Sequence, residues 1–367
     1  MRVLIAPDSF GGTLTAAEAA SALAAGWQQG RDADSVIEIP LSDGGEGFLA
    51  TLTSRFPEAR RQTLEVAGTD TRPVDTPVLW LDDHTVLLES ATICGLPAQD
   101  MPKRPLEATS YGVGQALRTV VEQGAQHIIL GLGGTGIVDG GSGALNGLGM
   151  RLTVADGSGL RVGAGDLAAC TAVRTGWSTW DSAVVLELLA DTNARLAEAI
   201  PLFGAQKGVL PGQVKPLVEA LATWEQVLCA SYPGTTDGST PGTGAAGGLG
   251  FALAVALQGT LVSGAQWVAQ RVGLEEAVGS ADLVVTGEGR LDTSTLSGKV
   301  VSHVVETAKK SARPVAVVVG GAEPAAVAAL GLTEDFVVTA PAARSASAAP
   351  ALTEAARSLA LRFSSVH

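Results

Sequence analysis

With 367 residues, 46% hydrophobic and only 17% charged, the chain is long enough for about two domains with a sizeable core. Its net charge of −13 disfavours nucleic acid and anionic membrane as partners, since both need a basic surface that releases counterions. Cys94, Cys170 and Cys229 lie far apart with no Cys/His cluster, which argues against a disulfide framework or a zinc site. The N-terminus enters a strand pattern directly and no window holds ~18 uninterrupted apolar residues, so a soluble cytoplasmic protein is expected.

Residues 2–6 read as a buried strand, and Ala6-Pro7-Asp8-Ser9-Phe10-Gly11-Gly12 as the loop at its carboxyl end. Thr15 and Glu18 form a capping-box pattern that opens an alanine-rich helix to about Gly30. A second strand, Val36 to Ile39, ends in Ser42-Asp43-Gly44-Gly45-Glu46-Gly47, and a helix starts at Phe48. This alternation implies parallel strands with right-handed crossovers. Thr63 to Val66, Val74 to Leu81 and Thr85 to Glu89 are short, turn-separated strands, and predict an antiparallel meander. Ser110 is the expected cap of a helix through Gln123, followed by a strand at His127 to Leu130. Residues 150–240 carry weaker signals, with a strand near 184–190 and a helix over roughly 212–230. Tyr232 to Gly244 is a loop by composition, and Ala245-Ala-Gly-Gly-Leu-Gly leads into an apolar helix to about Leu257. A strand at 283–285 breaks at Gly287 and Gly289 into a polar loop ending at Lys299. A helix to about Lys310, strands at Val315 to Val319 and Phe336 to Thr339, a mobile Ala/Ser/Pro-rich stretch at 341–350 and a last helix to about Phe363 complete the chain. The expected architecture is α/β: a Rossmann-like doubly wound parallel sheet from residues 1–60, about 105–135 and 278–367. A second α/β domain from about 61–104 and 136–277 is inserted into it, with the active site in the cleft between.

Four loops share one composition, glycines beside acids after a strand: 8–12, 43–47, 139–141 and 287–292. Glycine lets a backbone approach a ligand, and strand-end carboxylates can hold Mg²⁺ through one or two oxygens and water. The four together suggest a shared metal and phosphate site. Residues 131–136 also match G-x-G-x-x-G, with Asp156 about twenty residues on. Asp139 and a run of glycines interrupt the helix that this fingerprint requires, so a nicotinamide oxidoreductase is the weakest reading. There is no Walker A sequence, no G-x-S-x-G elbow and no metal spacing among His84, His127, His303 and His367. His127 and His303 lie in apolar segments and read as structural, and Lys207 alone reads as a solvated lysine in a glycine-flanked turn.

The motifs taken in order resemble the type 1 glycerate kinase family over almost the whole chain. They are Ala-Pro-Asp8-Ser-Phe, Asp43-Gly-Gly-Glu-Gly, Gly131-Leu-Gly-Gly with Asp139-Gly-Gly, Phe203-Gly-Ala-Gln-Lys-Gly, Gly244-Ala-Ala-Gly-Gly-Leu-Gly, and Thr286-Gly-Glu-Gly-Arg-Leu-Asp with Leu296-Ser-Gly-Lys. The resemblance implies a two-domain α/β enzyme that phosphorylates D-glycerate with ATP and Mg²⁺, at the 2-hydroxyl. Departures from the family pattern fall in the loops expected to touch ligand: Gly11 in place of Lys, Ile137-Val138 before Asp139, Ala194 in place of Pro, and Ala205 in place of Pro. Phosphoryl transfer asks for positioning, charge neutralisation and a base. Asp43, Glu288 and Asp292 are the expected metal ligands, Lys299 and Arg290 the phosphate cations, and Asp8 and Asp191 the candidate bases. Ser9, Thr135 and Lys207 are expected to orient the substrate, with Gly44, Gly45, Gly133, Gly134, Gly287, Gly289 and Ser297 lining it. A kinase for a related small hydroxy acid and a non-catalytic ligand-binding relative are the alternatives. A homodimer is compatible with the sequence.

Overall fold

Short β-branched runs that are apolar on both faces can be buried only in a sheet covered by helices on each side. The computed structural model, which describes residues 1–97, 101–174, 180, 183–234, 236–333, 336–344 and 347–364, contains such a sheet. The chain divides into two units, Met1–Asp43 with Gly264–His367, and Gly44–Ser263.

In the terminal unit, strand Arg2–Ile5 pairs in parallel with Ser35–Glu38 on one side and Leu283–Glu288 on the other. Val315–Val319 and Val337–Thr339 extend the sheet, again in parallel. Numbered within this unit the strand order is 2-1-3-4-5, one of the two common doubly wound orders. Alternation along one strand shows the two covered faces. Ala316 and Val318 pack with helices Ala16–Gly30 and Ala348–Ser364, while Val317 and Val319 pack with Val301 and Val305 of helix Val300–Lys310. Helix 16–30 opens with the expected reciprocal cap, Glu18 N donating to Thr15 Oγ1 at 3.2 Å and Thr15 N to Glu18 Oε2 at 2.9 Å. A methyl group on Gly26 would lie 2.0 Å from the carbonyl oxygen of Thr353, so glycine sets how closely the two covering helices approach.

The second unit holds a six-stranded sheet. Arg60–Ala67, Pro73–Trp80 and Thr85–Glu89 run antiparallel, as the meander pattern predicts. The sheet continues in parallel through His127–Gly131, Val185–Ala190 and Thr260–Ser263. Helix Tyr111–Glu122 and strand His127–Gly131 therefore belong here, not with the terminal sheet where 105–135 was expected. Residues 44–60 also fall in this unit, and 264–277 in the terminal one. The poorly patterned middle contains a two-stranded ribbon, Arg151–Thr153 with Ala172–Arg174. Helices Gly264–Val272 and Leu274–Ser280 were not read from the sequence. Part of the stretch expected to be mobile is a short helical turn, Pro341–Arg344, and the last helix begins at Ala348; Ser345, Ala346 and His367 lie outside the described residues. No helix among the described residues is long and apolar enough to cross a membrane.

Candidate active site

Open parallel sheets bind ligands at the carboxyl ends of strands where the winding direction reverses. In the terminal unit that point lies between strands 2–5 and 283–288. Asp8 N donates to Gly287 O at 2.9 Å and Thr286 Oγ1 to Ala6 O at 2.7 Å, which locks the two strand ends together. Glu288, in the strand's last position, is 7% exposed, and its Oε1 accepts a hydrogen bond from Thr295 Oγ1 at 2.7 Å. Burial raises its pKa to about 7, against the lowering effect of Thr295 and Lys299 and with the carboxylates of Asp292 and Asp43 adding to the rise. Asp8 is held well above the usual carboxylate range, first by its surroundings and then by Asp43, with Glu288 contributing; Ser9 N donates to its Oδ1 at 2.7 Å and works the other way. Asp43 and Glu288 thus act on Asp8, and Asp43 and Asp292 on Glu288, while Lys299 opposes Asp8, Glu288 and Asp292.

The loop between Glu288 and Lys299 is built by its own side chains. Asp292 caps the short helix Thr293–Ser297, accepting from Ser294 N at 2.9 Å and Ser294 Oγ at 2.6 Å. Lys299 Nζ donates to the same Ser294 Oγ at 3.1 Å, and Lys299 sits at the N-terminus of helix 300–310, where unpaired N–H groups and the helix dipole favour anions. Ser297 ends the short helix before Gly298 turns the chain at φ 93°. Arg290 is directed elsewhere, to Glu323 Oε1 at 2.7 Å and Asp292 Oδ2 at 3.5 Å. Gly287 lies inside the strand, where a side chain would meet Val318 O at 2.2 Å; packing explains this glycine without a ligand. A side chain on Gly289 would lie 3.6 Å from the backbone of Phe10 and Gly11, an ordinary contact, and Gly11 itself faces open space that would admit a side chain.

The second unit gathers its own set at the ends of parallel strands. Gly133 N donates to Gly44 O at 3.3 Å, and a side chain on Gly133 would lie 2.7 Å from Gly45 and 2.9 Å from Asp191 Oδ2. Gly44 and Gly134 both have positive φ, 85° and 75°. These glycines bring two backbone loops against the Asp191 carboxylate. Beside them Lys207 is 5% exposed, not solvated as its turn sequence suggested, and its Nζ donates to Thr135 O at 2.7 Å and Thr135 Oγ1 at 3.1 Å. Burial lowers its pKa to about 8, against the opposing charge of Asp191 and, less, of Asp139. Glu89, which the sequence reading passed over, accepts from Gly47 N at 2.9 Å and Leu49 N at 3.0 Å and so anchors the glycine loop. Its position at a strand end was the available signal.

Other expectations do not hold. Asp139 is fully buried and accepts from Ser110 N at 2.7 Å, Ser110 Oγ at 2.9 Å, Gly141 N at 3.1 Å and Gly143 N at 3.3 Å, so it clamps the fold and is no metal ligand. Ser110 spends its hydroxyl on that clamp instead of capping helix 111–122. Ile137 and Val138 are also fully buried, in the core and not in a ligand loop. Ala194 serves through its carbonyl, which accepts from Gly242 N at 3.1 Å and Gly244 N at 2.9 Å. Asp156 is exposed and accepts from its near neighbour Ser158 N at 2.8 Å, and the first helix after residues 131–136 starts only at Ser142, so the dinucleotide fingerprint has no structural counterpart. His127 pairs with Glu187 at 2.9 Å in the sheet, a structural role as read.

The family model described as "Glycerate kinase family" matches residues 3–366. The chain is 34% identical to the glycerate kinase of Bacillus subtilis (strain 168) and 32% identical to the glycerate 2-kinase of Escherichia coli (strain K12), covering in each case 87% of this chain and 85% of the relative. It is 38% identical to an uncharacterised protein of Mycobacterium bovis, over 87% of this chain and 79% of that protein. A solved crystal structure from Salmonella typhimurium LT2, named there as a glycerate kinase 2, superimposes with a TM-score of 0.78 at 31% identity, covering 100% of this chain and 98% of the other. On sequence and fold alike, the chain belongs to the glycerate kinase family.

Proposed function

We propose that this protein transfers the γ-phosphoryl group of ATP to glycerate, D-glycerate at its 2-hydroxyl, with Mg²⁺. The observation that carries this reading is the carboxylate group of Asp8, Asp43 and Glu288, facing Lys299 at the switch point beside a helix N-terminus. Among the described residues no three acidic, His or Cys side chains converge closely enough to hold a metal alone. Mg²⁺ keeps several waters and is commonly held by one or two carboxylates together with substrate phosphates. Asp43 and Glu288, with Asp292 through water, are the residues that would hold it. Bound there, the ion would supply charge neutralisation across the transferring phosphate.

The remaining tasks fall to the chain. Lys299 and the N–H groups of helix 300–310 hold the phosphate oxygens, while Arg290 tethers the loop through Glu323. In the second unit Lys207 pairs with the substrate carboxylate, with Thr135 and the backbone at Gly133 and Gly134 orienting it. Asp8 and Asp191 compete for the role of base. A bound cation would oppose the rise that burial, Asp43 and Glu288 impose on the Asp8 pKa, whereas Asp191 already stands against the glycine backbone at Gly133.

The test is ADP release by the purified protein with ATP and Mg²⁺ across D-glycerate, L-glycerate and related hydroxy acids, with the phosphorylated position read by phosphorus NMR. Turnover of D-glycerate to the 2-phosphate supports the reading. Turnover of another acid alone replaces the substrate, and turnover of none rejects catalysis.

A further inference from the structure

A pocket of about 810 Å³ opens in the second unit, in the upper part of the roughly 300–1,000 Å³ range that takes drug-sized ligands and far larger than a three-carbon acid fills. Its walls include Gly95, Gly136 and Lys207 but not Asp191, so it borders the glycine loops at Lys207 without taking in the Asp191 carboxylate. Five cations border it, Arg72, Lys103, Arg104, Arg161 and Lys207, against three carboxylates, Asp70, Glu107 and Asp166. In a chain of net charge −13 this is a local excess of positive charge.

The carboxylates are already matched. Asp70 pairs with Arg72, Glu107 with Arg104 and Asp166 with Arg161, all on exposed side chains, where such pairs are weak and exchange readily. The two lysines make no ion pair among the described residues. Lys103 Nζ donates to the backbone carbonyl of Gln206 at 2.8 Å, and Lys207 Nζ to Thr135. Lys103 is thus tied to the turn that carries Lys207, residues 203–208, and Gly208 admits it there, because a side chain on Gly208 would lie 2.4 Å from Lys103 Cβ. The buried Lys207 ammonium donates to a carbonyl and a hydroxyl and is in no ion pair among the described residues, with Asp191 and Asp139 acting on it only from further off, so an anion at the pocket side would gain from it.

We propose that this pocket binds a small dianion, a phosphomonoester or a dicarboxylate, between Lys103 and Lys207. Because Lys207 also faces Thr135, an anion in the pocket competes for the ammonium that would hold the hydroxy acid, and this second half rests on the function proposed above. Calorimetric titration of the full chain, without nucleotide, with glycerol 2-phosphate, malonate and inorganic phosphate tests the site and separates ester from dicarboxylate. The expected result is one-to-one binding of at least one probe, weakened tenfold or more by Lys103→Met, with the KM for D-glycerate unchanged in the variant when no dianion is present. In the wild type the same dianion raises that KM severalfold. Binding of none of the probes, or binding that Lys103→Met leaves intact, overturns the site. A KM that the bound dianion does not move overturns the coupling, and a protein that turns over no hydroxy acid leaves the titration to decide the site by itself.

Discussion

The two units bury charge of opposite sign. At the strand ends of the terminal unit, burial and neighbouring carboxylates make Glu288 and Asp8 resist ionisation, and in the second unit burial makes the Lys207 ammonium release its proton more readily. Neither arrangement is favourable in itself, since a buried charge without its complement destabilises a fold. On the function proposed above, each would be completed by a ligand, a cation and phosphates in one unit and an organic acid in the other.

The sharpest way to break this comparison is to remove one charge from each unit. Lys299→Met should lower kcat by about 10²- to 10³-fold, the range for a lost group that stabilises transition-state charge, with a small change in the KM for the hydroxy acid. Lys207→Met should do the reverse, raising KM far more than it lowers kcat. Initial-rate kinetics at saturating ATP would read both, and an interchange of the two patterns would refute the assignment. Of Asp8→Asn and Asp191→Asn, the one that removes the base should lose about 10²- to 10⁴-fold in kcat, and retention of near wild-type kcat by both would remove both candidates.

Next in size is the dependence of stability on pH. A carboxyl whose pKa is raised by folding from 4.5 to about 7 keeps its proton in the native state over a range where the unfolded chain has lost it. Stability therefore falls as pH rises through that window, by roughly 3 kcal/mol for this group alone. Glu288→Gln should flatten the fall between pH 5 and pH 8 in denaturant titrations, while abolishing most activity. Lys207 acts in a different window, from about 8 up to 10.5, where the native state has released a proton that the unfolded chain still holds, and there stability rises with pH. Lys207→Met should remove that rise.

A smaller effect follows from linkage. Mg²⁺ with nucleotide favours ionised Glu288, so the rise in melting temperature on adding both should be larger at pH 8 than at pH 6. An equal rise at the two pH values would separate the cation from this carboxylate. Smallest of all, Glu323→Gln frees Arg290 from an exposed pair and should change stability by no more than about 1 kcal/mol, with activity nearly unchanged.

Strand, glycine loop and helix succeed one another clearly at both ends of the chain, because parallel strands buried on both faces leave continuous apolar runs. The residues at the ends of those runs, Asp8, Asp43, Glu288 and Lys299, could be named for the same reason. What periodicity does not carry is the choice of sheet. His127–Gly131 has the pattern of a buried parallel strand, and both sheets contain such strands. Nor does composition separate a buried acid from a ligand-facing one. Asp139 and Asp43 both precede paired glycines, and only the folded backbone shows that Asp139 is enclosed by Ser110 and the N–H groups of Gly141 and Gly143. Lys207 misleads in the opposite sense, since flanking glycines suggest an exposed turn.

The pairing of Arg2–Ile5 with Leu283–Glu288 bears on how the molecule assembles. The first two strands leave the ribosome early, yet the strand that completes their sheet follows only after all of Gly44–Ser263 has been made. The entropy of closing so long a chain grows only logarithmically with its length, and it shrinks further once the intervening segment has collapsed. Order of synthesis thus favours the inserted unit maturing first, with the terminal unit closing last around a nascent two-stranded fragment. Pulse-labelling hydrogen exchange during refolding should accordingly show amides of strands 127–131 and 185–190 protected before those of 2–5 and 283–288. In this succession the carboxylates of Asp8 and Glu288 are among the last parts of the molecule to be brought together.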